Sequence, residues 1–128
     1  MTNSEIREWL HAMGVYDYDI CDGVVHVVGD VNIAYRGLTS IPVQFGYVSG
    51  EFICADNVLD SLEGCPSEVG GGFYCGNNDL TSLEGCPKEV GGNFSCRWNR
   101  FAAKPDVSGI LGKPYHSHIK IGGEFIWE

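Results

Sequence analysis

The sequence predicts a solenoid of 21-residue coils with a parallel β-sheet and little helix, closed by a helix and hairpin at one end and by β structure at the other. Three observations predict it. "CADNVLDSLEGCPSEVGGGFY" from Cys54 is followed by "CGNNDLTSLEGCPKEVGGNFS" from Cys75 and by "CRWNRF" from Cys96, a fixed offset of 21 residues. Such a period marks a repeat architecture, whose units bury their apolar face only when stacked. Within each unit apolar residues stand two apart, as Phe94 and Cys96 do, which is the strand period. Glycine supplies 18 of the 128 residues, about twice the usual ~7%, so the chain must turn often.

Taken in chain order, residues 1–26 form the first closing segment. Thr2 or Ser4 can cap a helix in which Ile6, Trp9, Leu10 and Met13 recur at helical spacing, and Gly14 ends it. "YDYDICDGVVHVV" reads as a hairpin turning at Asp22-Gly23. Residues 27–101 hold about three and a half coils. Their aligned series are Val27, Val48, Val69 and Val90; Gly29, Gly50, Gly71 and Gly92; Val31, Phe52, Phe73 and Phe94; Ile33, Cys54, Cys75 and Cys96; and Leu38, Leu59, Leu80 and Phe101. Ile41, Leu62 and Leu83 complete the inward set. Each coil is expected to begin with one short strand, and "SLEGCPKEV", which contains Gly and Pro, to return through turns. Asn57, Asn78 and Asn99 follow the cysteine series by three residues. An amide there can both donate to and accept from backbone groups that the strand end leaves unpaired. Arg36 occupies that position in the first coil, whose turn must be satisfied differently. Residues 102–128 form the second closing segment, with one or two strands over Phe101, and Pro105 and Pro114 break any helix between them. The whole chain, 1–128, is thus expected to be one domain.

The pattern V-x-G-x-F-x-C-x-x-N-x-L-x-x-L, with C-P opening the return, resembles a bacterial leucine-rich repeat of the short type over residues 27–101. The match to the leucine-rich consensus is specific at Phe94, Cys96, Asn99 and Phe101. It departs where Val, Phe or Cys replaces Leu, and where four residues rather than three separate Val from the next apolar position. "LTSLEGCPKEVGG" is similar to small repeat proteins encoded by bacteriophages. The resemblance implies a right-handed leucine-rich-repeat solenoid whose concave parallel sheet binds protein, and a host-directed role. The chain holds nothing long enough to be the ubiquitin-ligase domain that some secreted effectors of this repeat type carry.

Charge narrows the partner. Residues 1–96 carry 14 acidic and 3 basic side chains, a net of −11, whereas residues 97–128 carry 3 and 5, a net of +2. An acidic body repels phosphates, so direct nucleic-acid binding is disfavoured, while a basic groove on a partner protein is attracted. "MTNSEIREWLHAMG" has acidic residues and a short apolar stretch, unlike a signal peptide or membrane span, so a cytoplasmic protein with no membrane partner is expected.

In the repeat register the outward positions form columns about 4.8 Å apart along the stack. Tyr35, Ile53, Asp56, Tyr74, Asn77, Arg97 and Trp98 fall on them, and large amphipathic residues such as Tyr, Trp and Arg are enriched at interface hot spots. These seven are the candidate partner-binding residues. The alternative is that the C-terminal segment folds over Arg97 and Trp98 as ordinary end packing.

Catalytic, metal and cofactor readings find little support. Cys54, Cys75 and Cys96 place one thiol per coil in the core, unlike zinc ligands spaced two to four residues apart, and Cys65 and Cys86 are expected to form a second inward column. His116 and His118 share a strand face without a third ligand, and Glu63, Glu68, Glu84 and Glu89 repeat only because the coils do. No nucleophile elbow, phosphate loop or dinucleotide fingerprint occurs in the sequence. The expectation is a non-enzymatic protein-interaction module with no cofactor. The resemblance and the charge together imply a phage-encoded inhibitor of a host defence or nucleic-acid-binding protein, with an anti-CRISPR-like acidic surface competing with nucleic acid. The alternative is a structural or self-associating subunit of a virion or homo-oligomer.

Overall fold

The computed structural model describes residues 1–105 and 120–128. Pro114, His116, His118 and any strand expected around them lie outside the described residues. Helix α1 spans Asn3–Ala12 and is capped by Thr2, one of the two candidate caps, in a reciprocal pair with Glu5. The Glu5 amide donates to Thr2 Oγ1 at 3.2 Å, and the Thr2 amide donates to Glu5 Oε1 at 2.8 Å. Ile6 and Leu10 are buried, and Gly14 leaves the helix with φ at +81°. Strands β1 (Tyr18–Cys21) and β2 (Val24–Val27) pair antiparallel around Asp22 and Gly23, both at positive φ, as a two-residue hairpin requires.

Beyond the hairpin the chain coils. Strands β3 (Val31–Asn32), β5 (Phe52–Ile53), β7 (Phe73–Tyr74) and β9 (Phe94–Ser95) stack parallel, Val31 beside Phe52, Phe52 beside Phe73 and Phe73 beside Phe94. The register is the 21-residue period. Strands β4 (Gln44–Val48), β6 (Glu68–Val69) and β8 (Glu89–Val90) form a second parallel stack that begins on β2. The result is a parallel β-solenoid of about three regular turns with little helix.

Two short strands per coil replace the single strand expected from the alternation. The reason is the corner between them, where Gly29, Gly50, Gly71 and Gly92 recur and the third and fourth coils add Gly70 and Gly91. A Cβ on Gly70 would overlap the Ser49 carbonyl oxygen of the coil before it, and one on Gly91 would overlap that of Gly70. At Gly70 and Gly91 the corners therefore stack backbone on backbone, which only glycine permits. Their ladder continues through the bend, with Gly70 N–H on Val48 O at 2.8 Å and Gly91 N–H on Val69 O at 2.9 Å. Val69 and Phe73 thus belong to two sheets that meet at a corner.

The C-terminal residues extend both sheets. Strands β10 (Lys120–Ile121) and β11 (Phe125–Ile126) pair parallel with β8 and β9, Ile121 beside Val90 and Phe125 beside Phe94. The offset has grown from 21 to 31 residues, yet "IGGEFIW" occupies the places of "VGGNFSC". The segment adds a rung in register, a fuller role than the expected cover over Phe101, which is half-buried against the core.

Phenylalanines form the spine. Phe45, Phe52, Phe73, Phe94 and Phe125 follow one another at ring-centroid separations of 5.1 to 5.8 Å, and Trp9 of α1 approaches Phe45 at 6.3 Å. Ile33, Cys54, Cys75 and Cys96, with Leu59, Leu62, Leu80 and Leu83, are wholly buried around it. No helix among the described residues is long and apolar enough to cross a membrane.

Candidate interaction surface

The surface is set by the turn after each strand of the β3–β11 sheet. Behind it, the asparagine column holds the backbone. Asn78 Nδ2 donates to Cys54 O, Cys75 O and Gly76 O at 3.1 to 3.2 Å, while its Oδ1 accepts the Leu59 amide at 3.0 Å. Asn99 repeats these contacts one coil on. Asn57 reaches back to the first coil, accepting the Arg36 and Leu38 amides at 3.0 Å, so the coil that carries Arg36 borrows its neighbour's amide.

This arrangement fixes the residue just before each asparagine position. Tyr35, Asp56, Asn77 and Trp98 all have φ between +51° and +59°. Asp and Asn tolerate the left-handed region, whereas a bulky side chain there is strained. Tyr35 and Trp98 are nonetheless 80% and 65% exposed. Neither conformation is explained by core packing.

Contacts along the column link its members. Asn77 Nδ2 donates to Asp56 Oδ1 at 2.7 Å. The Asp56 carboxylate, as a hydrogen-bond acceptor and a negative charge, pushes the Tyr35 phenol above its ordinary range. At the other end the Arg97 guanidinium lies 4.6 Å from the Trp98 ring centroid, a cation–π pair. Ile53 and Tyr74 are half-buried neighbours in the register of β5 and β7, one column over. The Tyr74 ring lies against Gly72, where a Cβ would fall 2.6 Å from Cε2, which explains a third consecutive glycine in that coil. All seven predicted residues therefore share one face. Trp98 remains exposed although β11 pairs with β9 directly before it.

Asn32, Ala34 and Arg36, outside the predicted set, line a depression of about 650 Å³ with Tyr35, Ile53 and Asp56. The shared left-handed backbone was detectable in sequence only through Asp56 and Asn77, the residue types that favour it. A larger groove of about 710 Å³ lies along the "LEGCP" returns, between Gln44, Glu63, Ser67, Glu84 and Lys88. It has no aromatic wall, and the Gln44 amide is already spent on Phe45 O and Cys65 O. The smaller depression brings an aromatic ring, a carboxylate and aliphatic side chains together.

Burial pushes the Cys65 and Cys75 thiols well up, with neighbouring thiols adding to the shift, and raises Cys86 and Cys96 to about 12. Such thiols stay protonated and unreactive. Among the described residues no three His, Cys, Asp or Glu side chains gather as metal ligands. Glu63, Glu68, Glu84 and Glu89 are exposed. No protein-family model matches the chain, and no curated protein or solved structure matches it.

Proposed function

We propose that the protein is a non-enzymatic binding module of the short leucine-rich-repeat type, docking through the Tyr35–Trp98 column onto a basic, nucleic-acid-binding protein. One observation carries the reading: two large aromatic side chains hold a left-handed backbone and remain exposed. Strained, solvent-facing residues concentrate at functional sites, and Tyr, Trp and Arg dominate interface energetics. The net charge of −9 supports a basic partner and disfavours direct contact with nucleic acid. On this reading α1 with its hairpin, and the rung formed by β10 and β11, cover the two ends of the stack, whose edges otherwise invite pairing. A cytoplasmic, phage-encoded inhibitor that occupies the nucleic-acid groove of a host defence protein, as an anti-CRISPR does, fits this surface and charge.

Affinity capture from bacterial lysate tests it, with wild type and the Tyr35→Ala/Trp98→Ala double variant as baits and mass spectrometry as readout. Wild type should retain a basic nucleic-acid-binding protein at low salt and release it at high salt, and a folded double variant should not retain it. Equal retention by both baits would remove the column from the interface. Recovery of only further copies of this chain would replace the reading with self-association.

A further inference from the structure

We propose that the depression beside Tyr35 seats one lysine or arginine side chain of the protein partner, between the Tyr35 ring and the Asp56 carboxylate. The inference rests on the docking reading above and specifies what that surface recognises.

The two ends of the column differ in the company of their aromatic rings. In the fourth coil the aromatic Trp98 follows Arg97, whose guanidinium stands over its ring. In the first coil the aromatic Tyr35 follows Ala34, the residue at Arg97's place in the repeat. Among the described residues Arg97 over Trp98 is the one cation–ring contact, and Arg100 with Asp79 at 3.0 Å the one ion pair. Within that set, Tyr35 has no cation over it and Asp56 has none beside it. The coil with the vacant ring is also the one flanked by a carboxylate, since Asp56 follows in the next rung.

The lining suits a cation on an alkyl stem. Ala34 and Ile53 offer an aliphatic floor, along which a lysine or arginine stem lies while its head stays polar. The Tyr35 face attracts that head electrostatically. Asp56 is held in place by Asn77 at 2.7 Å, and a carboxylate has further lone-pair sites to accept an ammonium or guanidinium. A side chain already fixed costs less to order on binding. Arg36 lies at the rim as the unfavourable charge. Its backbone amide alone serves the turn, so its side chain can be removed without disturbing the asparagine column.

Titration of the isotope-labelled protein with N-acetyl-lysine methylamide, N-acetyl-arginine methylamide and the uncharged N-acetyl-norleucine methylamide tests the seat by NMR. The two cationic probes should shift the amides of Ala34, Tyr35 and Asp56 saturably at low salt, and norleucine should not. Asp56→Asn should weaken the cationic probes roughly fivefold, the upper range for an exposed charge pair, and Arg36→Ala should tighten them. Ala34→Arg rebuilds the fourth-coil arrangement over Tyr35 and should abolish probe binding while leaving the remaining spectrum in place. Equal shifts from norleucine, or undiminished binding in Ala34→Arg, overturns the proposal. If no probe binds but Tyr35-dependent capture of a basic protein persists, the cation seat fails and the docking reading stands. If both are lost, both fall.

Discussion

At the turns that carry an asparagine, two consecutive residues face opposite ways. Asn57, Asn78 and Asn99 point inward and repeat without change, each making two hydrogen bonds within its own coil and two or three to the coil before. Tyr35, Asp56, Asn77 and Trp98 point outward and differ in every coil, although all four share one backbone conformation. The inward column has its chemistry dictated, because only an amide offers both a donor pair and an acceptor to stranded backbone groups. The outward column is constrained in φ alone. Asp and Asn meet that constraint at little cost and Tyr and Trp do not, so the outer coils carry identities that folding does not require.

Cutting the inward column should have the largest effect. Asn78→Ala leaves the Leu59 amide and the Cys54 and Cys75 carbonyls without this partner, while Gly76 O keeps the Asp56 amide, and at about 1 kcal/mol for each of the three lost bonds the loss is about 3 kcal/mol by urea denaturation. A loss below about 1 kcal/mol would mean that the amide ladder is dispensable. Gly70→Ala probes the corner instead, forcing a methyl group against the Ser49 carbonyl, and should cost about 2 kcal/mol. Wild-type stability in the same assay would show that the coils can move apart at the corner.

The buried thiols give a pH signature. Cys86 and Cys96 are raised from 9 to about 12 chiefly by burial, so the unfolded chain releases those protons above pH 9 while the folded one keeps them. Their contribution is complete below pH 9 and declines as the pH rises toward 12, by about 1.4 kcal/mol per thiol per pH unit. Urea midpoints at pH 9 and 10.5 should show a smaller alkaline decline in Cys86→Ala than in wild type, and parallel declines would place that thiol in solvent. The smallest effect has the opposite sign. Tyr35→Asn gives the first coil the residue type its backbone favours and should raise Tm by roughly 2–4 °C. A lower Tm would show that the ring contributes to folding, which ends the contrast between the columns.

Much of this was legible in the residues because a translational repeat converts sequence offset directly into spatial register. The offset of 21 placed Phe52, Phe73 and Phe94 in one stack and put a thiol from each coil inside. Asn57, Asn78 and Asn99 could be assigned to backbone bonding from their spacing, and Arg36 marked the coil that needed another solution. The fifth rung was less legible, since "IGGEFIW" follows its counterpart by 31 residues and a search at one fixed offset passes over it. The seven candidate residues could be placed on one face, but their mutual bonds could not.

The sequence by itself determined the period, the inward series and the acidic character, because each follows from residue identity at fixed spacing. Only the tertiary structure decided that each coil bends into two sheets, since that depends on how closely glycine backbones of neighbouring coils approach. It also decided that Tyr35 and Trp98 share a left-handed backbone with Asp56 and Asn77. That conformation is imposed by hydrogen bonds from adjacent coils, and no local preference of tyrosine or tryptophan would reveal it.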